Sequence, residues 1–264
     1  MDRFRFNSPP FTREINVEHR LKVPHIEEQI VDIKKTIDDR QSAVLVAPAG
    51  AGKTLALRTL RSQLPEARYS TAYIKLSNLS ARDMCREVAR ALGVTPVGHF
   101  PGLVQAVEDK LRSGFIEGGR RQVVIFDDAQ DMREEALRLV RLITNFEMDS
   151  RLVVSVILSG QGALKPMLLR DEMVDIHHRM AHCGELSLLT REETRSYVEH
   201  RSTIAGASPA PFEPQAVEAI HEISRGNMRA IDKVARAALV EADRASKNRV
   251  DAGDVALART RTWT

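Results

Sequence analysis

The chain has 264 residues, of which 43% are hydrophobic, 28% charged and only 5% aromatic, with a formal net charge of +3. That length allows one large α/β domain or a core with a smaller appendage. The scarcity of rings argues against a protein that holds single strands by base stacking, and no apolar run approaches the ~20 residues that cross a bilayer.

Residues 1–24, with Pro9, Pro10 and Pro24, read as an extended arm. Ile26, Ile30, Ile33 and Ile37 recur at helical spacing. Ala43–Val46 is a short buried-type strand. It runs into Ala47-Pro48-Ala49-Gly50-Ala51-Gly52-Lys53-Thr54, after which Leu55, Leu57, Leu60 and Leu64 mark a helix. Ala72–Leu76 predicts a second strand. Ser80 with Asp83 has the form of a capping box, opening a helix that Gly93 ends. A helix over 103–111, an apolar strand Val123–Phe126 ending in Asp127-Asp128, a helix over about 133–146 and a strand over 152–158 follow. Strands alternating with helices imply a mainly parallel sheet covered on both faces.

Near Glu185 the pattern turns all-helical. Thr190 with Glu193 is a second capping box, Pro214 suits a helix start, Met228 to Leu239 has helical spacing, and Asp251–Asp254 caps a last short helix. The expected organisation is therefore an arm (1–24), an α/β core (25–185) and a helical lid (186–264). From Arg225 onward nine Lys/Arg stand against five Asp/Glu, a local excess that suits phosphates or simply a solvated face. Met1–Phe6 lacks the apolar stretch of a secretory signal. Cys85 and Cys183 lie far apart without metal-ligand spacing. Both features read as a cytoplasmic protein with reduced thiols.

Residues 47–54 match the phosphate-binding loop, with Ala47 at the first glycine position. Small residues let successive backbone N–H groups turn toward a phosphate, Lys53 places a charge at the β/γ oxygens, and Thr54 offers a hydroxyl to Mg²⁺. Asp127, ending its strand, supplies the second metal-side group, so ATP with Mg²⁺ is the expected ligand pair. Asp128 can orient the attacking water or, alternatively, cap the helix that follows. ATPases of this kind usually carry glutamate there. Asp128 is one methylene shorter, so either the loop advances or turnover is slow.

Beyond that loop, Asp127-Asp128-Ala129-Gln130, Leu158-Ser159-Gly160-Gln161, Ile176-His177-His178-Arg179, Leu188-Leu189-Thr190-Arg191-Glu192-Glu193 and Ser224-Arg225-Gly226-Asn227-Met228-Arg229 occur in an order that resembles the ExeA-like AAA+ ATPases. That group includes the Mu B and TnsC type regulators of transposition. The resemblance, over about residues 25–250, implies an AAA+ core with a small helical lid. It places Ser159 at the sensor-1 position, with Gln161 as a nearby second candidate. Arg179 falls at the arginine finger that reaches a neighbour's nucleotide, and Arg229 at sensor 2. It further implies a ring or helical filament on duplex DNA, contacting the backbone rather than bases, with Lys75 and Arg82 as candidate contacts and a transposase as partner. The expected function is thus an ATP-dependent, DNA-binding regulator that recruits or activates a transposase. A secretion-associated ATPase, the role behind the name ExeA, and a nucleotide-gated scaffold with little hydrolysis are the alternatives.

Overall fold

The computed structural model describes residues 2–75, 78–96, 98–116, 119–146 and 152–261. They form two compact units, one of residues 25–47 and 53–186, the other of residues 1–24, 48–52 and 187–264.

The first unit is built on a five-stranded sheet of order β2-β3-β4-β1-β5. Its strands are β1 (Ser42–Val46), β2 (Tyr69–Lys75), β3 (Arg121–Asp127), β4 (Val154–Gly160) and β5 (Met180–Glu185), and every pairing is parallel. Parallel sheets need both faces covered, and α1 (Pro24–Asp38), α2 (Lys53–Ser62), α3 (Ala81–Ala91), α4 (Phe100–Ile116) and α5 (Glu134–Thr144) supply the cover. Successive strand residues point to opposite faces. Val44, Val46, Val124, Phe126, Val156 and Leu158 join one buried cluster with Met84 and Val88 of α3, Val107 of α4 and Leu137 of α5. Leu45 faces the other way, among Ile30 and Ile33 of α1 and Leu57 and Leu60 of α2. All five β1 residues are buried, as a central strand requires.

Short helices α6 (Leu164–Leu168) and α7 (Val174–His177) lead to β5, which the sequence did not announce. Met-Ala-His-Cys-Gly-Glu has no apolar run and no β-branched residue. As an edge strand it pairs, among the described residues, only with β1 and leaves alternate side chains exposed, so nothing in burial forces a strand-like composition. The second strand starts at Tyr69 rather than Ala72, because Ser70 and Thr71 are paired with β3 despite their polarity. Leu76, assigned to it from sequence, lies outside the described residues.

The second unit holds α8 (Arg191–Ile204), α9 (Pro214–Ser224), α10 (Met228–Arg244) and α11 (Ala252–Arg261). Its starts follow the capping signals: Thr190 and Glu193 make the reciprocal capping box, Pro214 occupies the first turn of α9, and Asp251 and Asp254 each accept the other's N–H. The arm packs on these helices. Phe4 and Phe11 are buried, Phe11 meets Phe212 edge-on at 5.7 Å, and Asn7 N–H donates to Ala205 O at 2.7 Å.

Candidate nucleotide site

β1 ends where Ala47 N–H donates to Gly160 O of β4 at 3.0 Å. The loop middle, Pro48–Gly52, belongs to the helical unit. Ala51 N–H closes a turn onto Pro48 O (3.2 Å), and Met228 N–H donates to Gly50 O (3.1 Å). Asn227 Nδ2 donates to Ala49 O at 2.6 Å, while its Oδ1 caps α10 through Ala230 N–H at 3.1 Å. Gly50 has φ of +79°, and a Cβ there would lie 2.1 Å from Asn227 Oδ1. Glycine is therefore required both by the backbone and by the close approach of the asparagine.

In the α/β unit the charged side chains converge on one carboxylate. Asp127, 2% exposed, accepts on Oδ1 from Lys53 Nζ at 2.6 Å, Asp128 N–H at 3.0 Å and Ser159 Oγ at 3.2 Å. Its Oδ2 accepts from Tyr73 OH at 2.8 Å and lies 3.5 Å from Thr54 Oγ1. Burial alone would raise the Asp127 pKa. The hydrogen bond and charge of Lys53, then the Tyr73 hydroxyl and the Asp128 N–H, outweigh it and hold the carboxyl below its ordinary range.

Asp128 sits in the left-handed region with φ of +58° and makes no side-chain cap. Its carboxylate instead reaches Lys53 Nζ at 2.9 Å. Aspartate is one of the few non-glycine residues that adopt this region readily, and the backbone there sends its short side chain toward the lysine. Lys53 is thus held between two acids. The ligand atoms on hand are hydroxyl and carboxylate oxygens, the hard donors that Mg²⁺ takes. Among the described residues no cluster of three or more His, Cys, Asp or Glu could hold a metal on its own.

Tyr73 is a participant that sequence reading passed over. Its hydroxyl reaches Asp127 from the neighbouring strand, and burial together with that bond and the two nearby acids pushes its pKa up, so it stays a donor. It is a positioning residue for the oxygen that faces Thr54. Tyr73→Phe, which removes one hydrogen bond to a charged acceptor, is expected to lower kcat roughly ten-fold. The Mg²⁺ concentration for half-maximal turnover should rise, with ATP affinity in EDTA unchanged. A variant whose Mg²⁺ titration superimposes on that of the wild type would end the assignment.

Gln161 is exposed in the turn after β4, its backbone N–H bonded to Gln130 Oε1 at 2.9 Å. Arg179 is half-buried just before β5, its N–H on Ile176 O at 3.0 Å. Arg229 is exposed in the first turn of α10. Lys75, at the end of β2 in register with Asp127, and Arg82, in the first turn of α3, are both exposed.

An apolar parallel strand, a glycine loop, a helix opening on Lys-Thr and a carboxylate ending the adjacent-but-one strand define a P-loop ATPase. The chain belongs to the AAA domain family, whose match covers residues 36–168. It is 28% identical over 259 residues to general secretion pathway protein A of Aeromonas hydrophila, covering 97% of this chain and 47% of that protein. The chain therefore spans about half the length of that curated relative. Its fold is that of the Cdc6p protein of Pyrobaculum aerophilum (TM-score 0.74, 16% identity, 95% of this chain and 70% of that one). It is likewise that of Aeropyrum pernix ORC1 solved in complex with DNA (TM-score 0.68, 17% identity, 92% and 66%). This is an AAA+ ATPase. Among the described residues no helix is long and apolar enough to cross a membrane.

Proposed function

We propose that this ATPase is a DNA-binding regulator of transposition, which oligomerises on duplex DNA when ATP is bound, recruits or activates a transposase, and disassembles on hydrolysis. The observation that carries the nucleotide switch is Lys53 clamped between Asp127 and Asp128. A triphosphate competes with those two carboxylates for the lysine. When it binds, Lys53 moves to the phosphate oxygens and Asp128 is released to orient the water that attacks the γ-phosphorus, taking up its proton as the bond to the leaving diphosphate oxygen breaks. Thr54 and Asp127 would hold Mg²⁺, which would offset the phosphate charge. Ser159, through Asp127, couples β4 to the same point. On the family resemblance, Arg229 and Gln161 attend the phosphates, Arg179 acts on a neighbour's nucleotide, and Lys75 and Arg82 touch the DNA backbone.

A second reading, a secretion-associated ATPase module, is favoured by the likeness to general secretion pathway protein A over nearly the whole of this chain. Steady-state ATPase assays with and without duplex DNA separate the two. Several-fold stimulation by DNA, falling with salt, is the result expected for the transposition regulator. Turnover indifferent to DNA favours the secretion module, and tight ATP binding without turnover in any condition leaves a nucleotide-gated scaffold. Arg179→Ala should keep ATP affinity while lowering turnover by about 10³-fold, the lower end for an arginine finger. Mixing it with a Lys53 variant should restore part of the activity, and a failure to rescue at any ratio would count against a finger acting between subunits.

A further inference from the structure

Along α10, Arg229, Lys233, Arg236, Val240 and Arg244 are spaced by four, three, four and four residues, and so share one face. With Arg13 of the arm and Arg261 of α11 the basic members of that face rim a groove of about 810 Å³ within the helical unit, a size typical of ligand sites. Its floor is apolar: Ala230, Ala237 and Val240 from α10, with Phe11 from the arm.

Two carboxylates reach the groove, and both are already engaged. Glu241, 9% exposed, accepts from Arg244 and Arg261 at 2.8 Å each. Asp232 accepts from Tyr197 at 3.1 and 3.2 Å and from Arg201 at 3.3 Å. Among the described residues Arg13 and Arg236, neither of them assigned to the nucleotide, form no ion pair. Like charges three and four apart destabilise a helix, so this face carries a cost that an anionic occupant would offset.

We propose that the groove binds an acidic peptide segment of a partner protein, one whose Asp or Glu side chains meet the rim while interspersed apolar side chains fill the floor. Arginine clusters are a recurring means of recognising acidic motifs, with guanidinium forks matched to carboxylates. A nucleic-acid backbone fits less well. Its phosphates would satisfy the rim but leave the alanine and valine floor unfilled, and a duplex is convex where this surface is concave. Phe11 is 4% exposed, so no ring is offered for stacking a single strand.

The test uses the full chain and fluorescence anisotropy. The probes are a panel of labelled twelve-residue peptides in which Asp or Glu is interspersed with Leu or Phe at varied spacing, a twelve-residue oligo-glutamate, and a labelled short DNA duplex. Mixed peptides are expected to bind at least ten-fold tighter than oligo-glutamate. Arg13→Glu with Arg236→Glu should weaken them at least ten-fold, with ATP turnover and the unfolding midpoint unchanged. Val240→Asp should erase the preference for apolar-containing peptides. The proposal is overturned if no peptide in the panel binds below millimolar concentration, or if the charge-reversed protein binds them equally. It is also overturned if the duplex is the only probe whose binding the reversal weakens, which would make this a phosphate-binding face. Loss of self-association in sedimentation, without loss of peptide binding, would assign the face to a second copy of the chain instead.

Discussion

Lys53→Ala is expected to remove ATP turnover by at least about a hundred-fold, the cost of one preorganised charge-stabilising group, and to weaken ATP binding as well. The loss has two sources. The first is the missing ammonium at the phosphates. The second is the burial of Asp127, a carboxylate that the Lys53 cation keeps ionised. In the wild type the Asp127 pKa is depressed below its unfolded value, so its contribution to stability is present above the ordinary carboxylate range and lost as pH falls through the folded pKa. Without Lys53, burial is opposed only by the Tyr73 hydroxyl and the Asp128 N–H, that pKa rises, and the sign reverses: stability of the variant should decline as pH rises through the carboxylate range. Isothermal titration with ATP, together with urea unfolding at pH 5 and pH 8, reads both effects. Normal affinity and turnover in the variant would remove the phosphate-loop assignment, while an unchanged pH dependence of unfolding would remove the role assigned to Lys53 beside Asp127.

How legible this architecture is depends on how local its causes are. The β1, loop and α2 segment is legible because strand, glycines and lysine follow one another, and each residue type has one physical reason to be there. Helix starts at Ser80, Thr190 and Asp251 are legible for the same reason, since the capping partners lie three residues apart. Asp128 is only half legible: its place after Asp127 is plain in the sequence, but its left-handed backbone and its bond to Lys53 are tertiary facts. Tyr73 is not legible, because it meets Asp127 across a strand pairing 54 residues away, and a tyrosine in a strand is ordinarily packing. Asn227 is visible only as part of a motif, while its grip on Ala49 joins residues 178 apart. β5 escapes because an edge strand with exposed alternate residues needs no hydrophobic signature.

The arm offers the largest expected effect on stability. Arg201, 5% exposed, donates to Thr12 O at 2.6 Å, to Tyr197 OH at 3.0 Å and to Asp232 Oδ2 at 3.3 Å. Its guanidinium also lies 5.8 Å from the Phe11 ring centroid. One side chain thereby ties the arm to α8 and α10 and compensates a buried acid. Arg201→Ala is expected to cost about 3–5 kcal/mol, the range for breaking a buried pair from one side. The pH dependence distinguishes charge from packing. Burial raises the Asp232 pKa to about 6, although Arg201 and Tyr197 pull it down. A raised acid is favourable to the fold while protonated, so its burden grows as pH rises from the unfolded value, near 3.9, through about 6. Removing the arginine raises the pKa further and deepens that burden. The destabilisation should therefore be largest at pH 8 and shrink toward pH 4, where Asp232 is protonated in both proteins. Arg201→Met with Asp232→Leu should recover most of the loss, since two matched apolar groups leave no charge unpaired. Equal destabilisation at both pH values, or no recovery in the double variant, would mean that Arg201 acts by packing alone, and limited proteolysis of the arm would then be the remaining measure of what it holds in place.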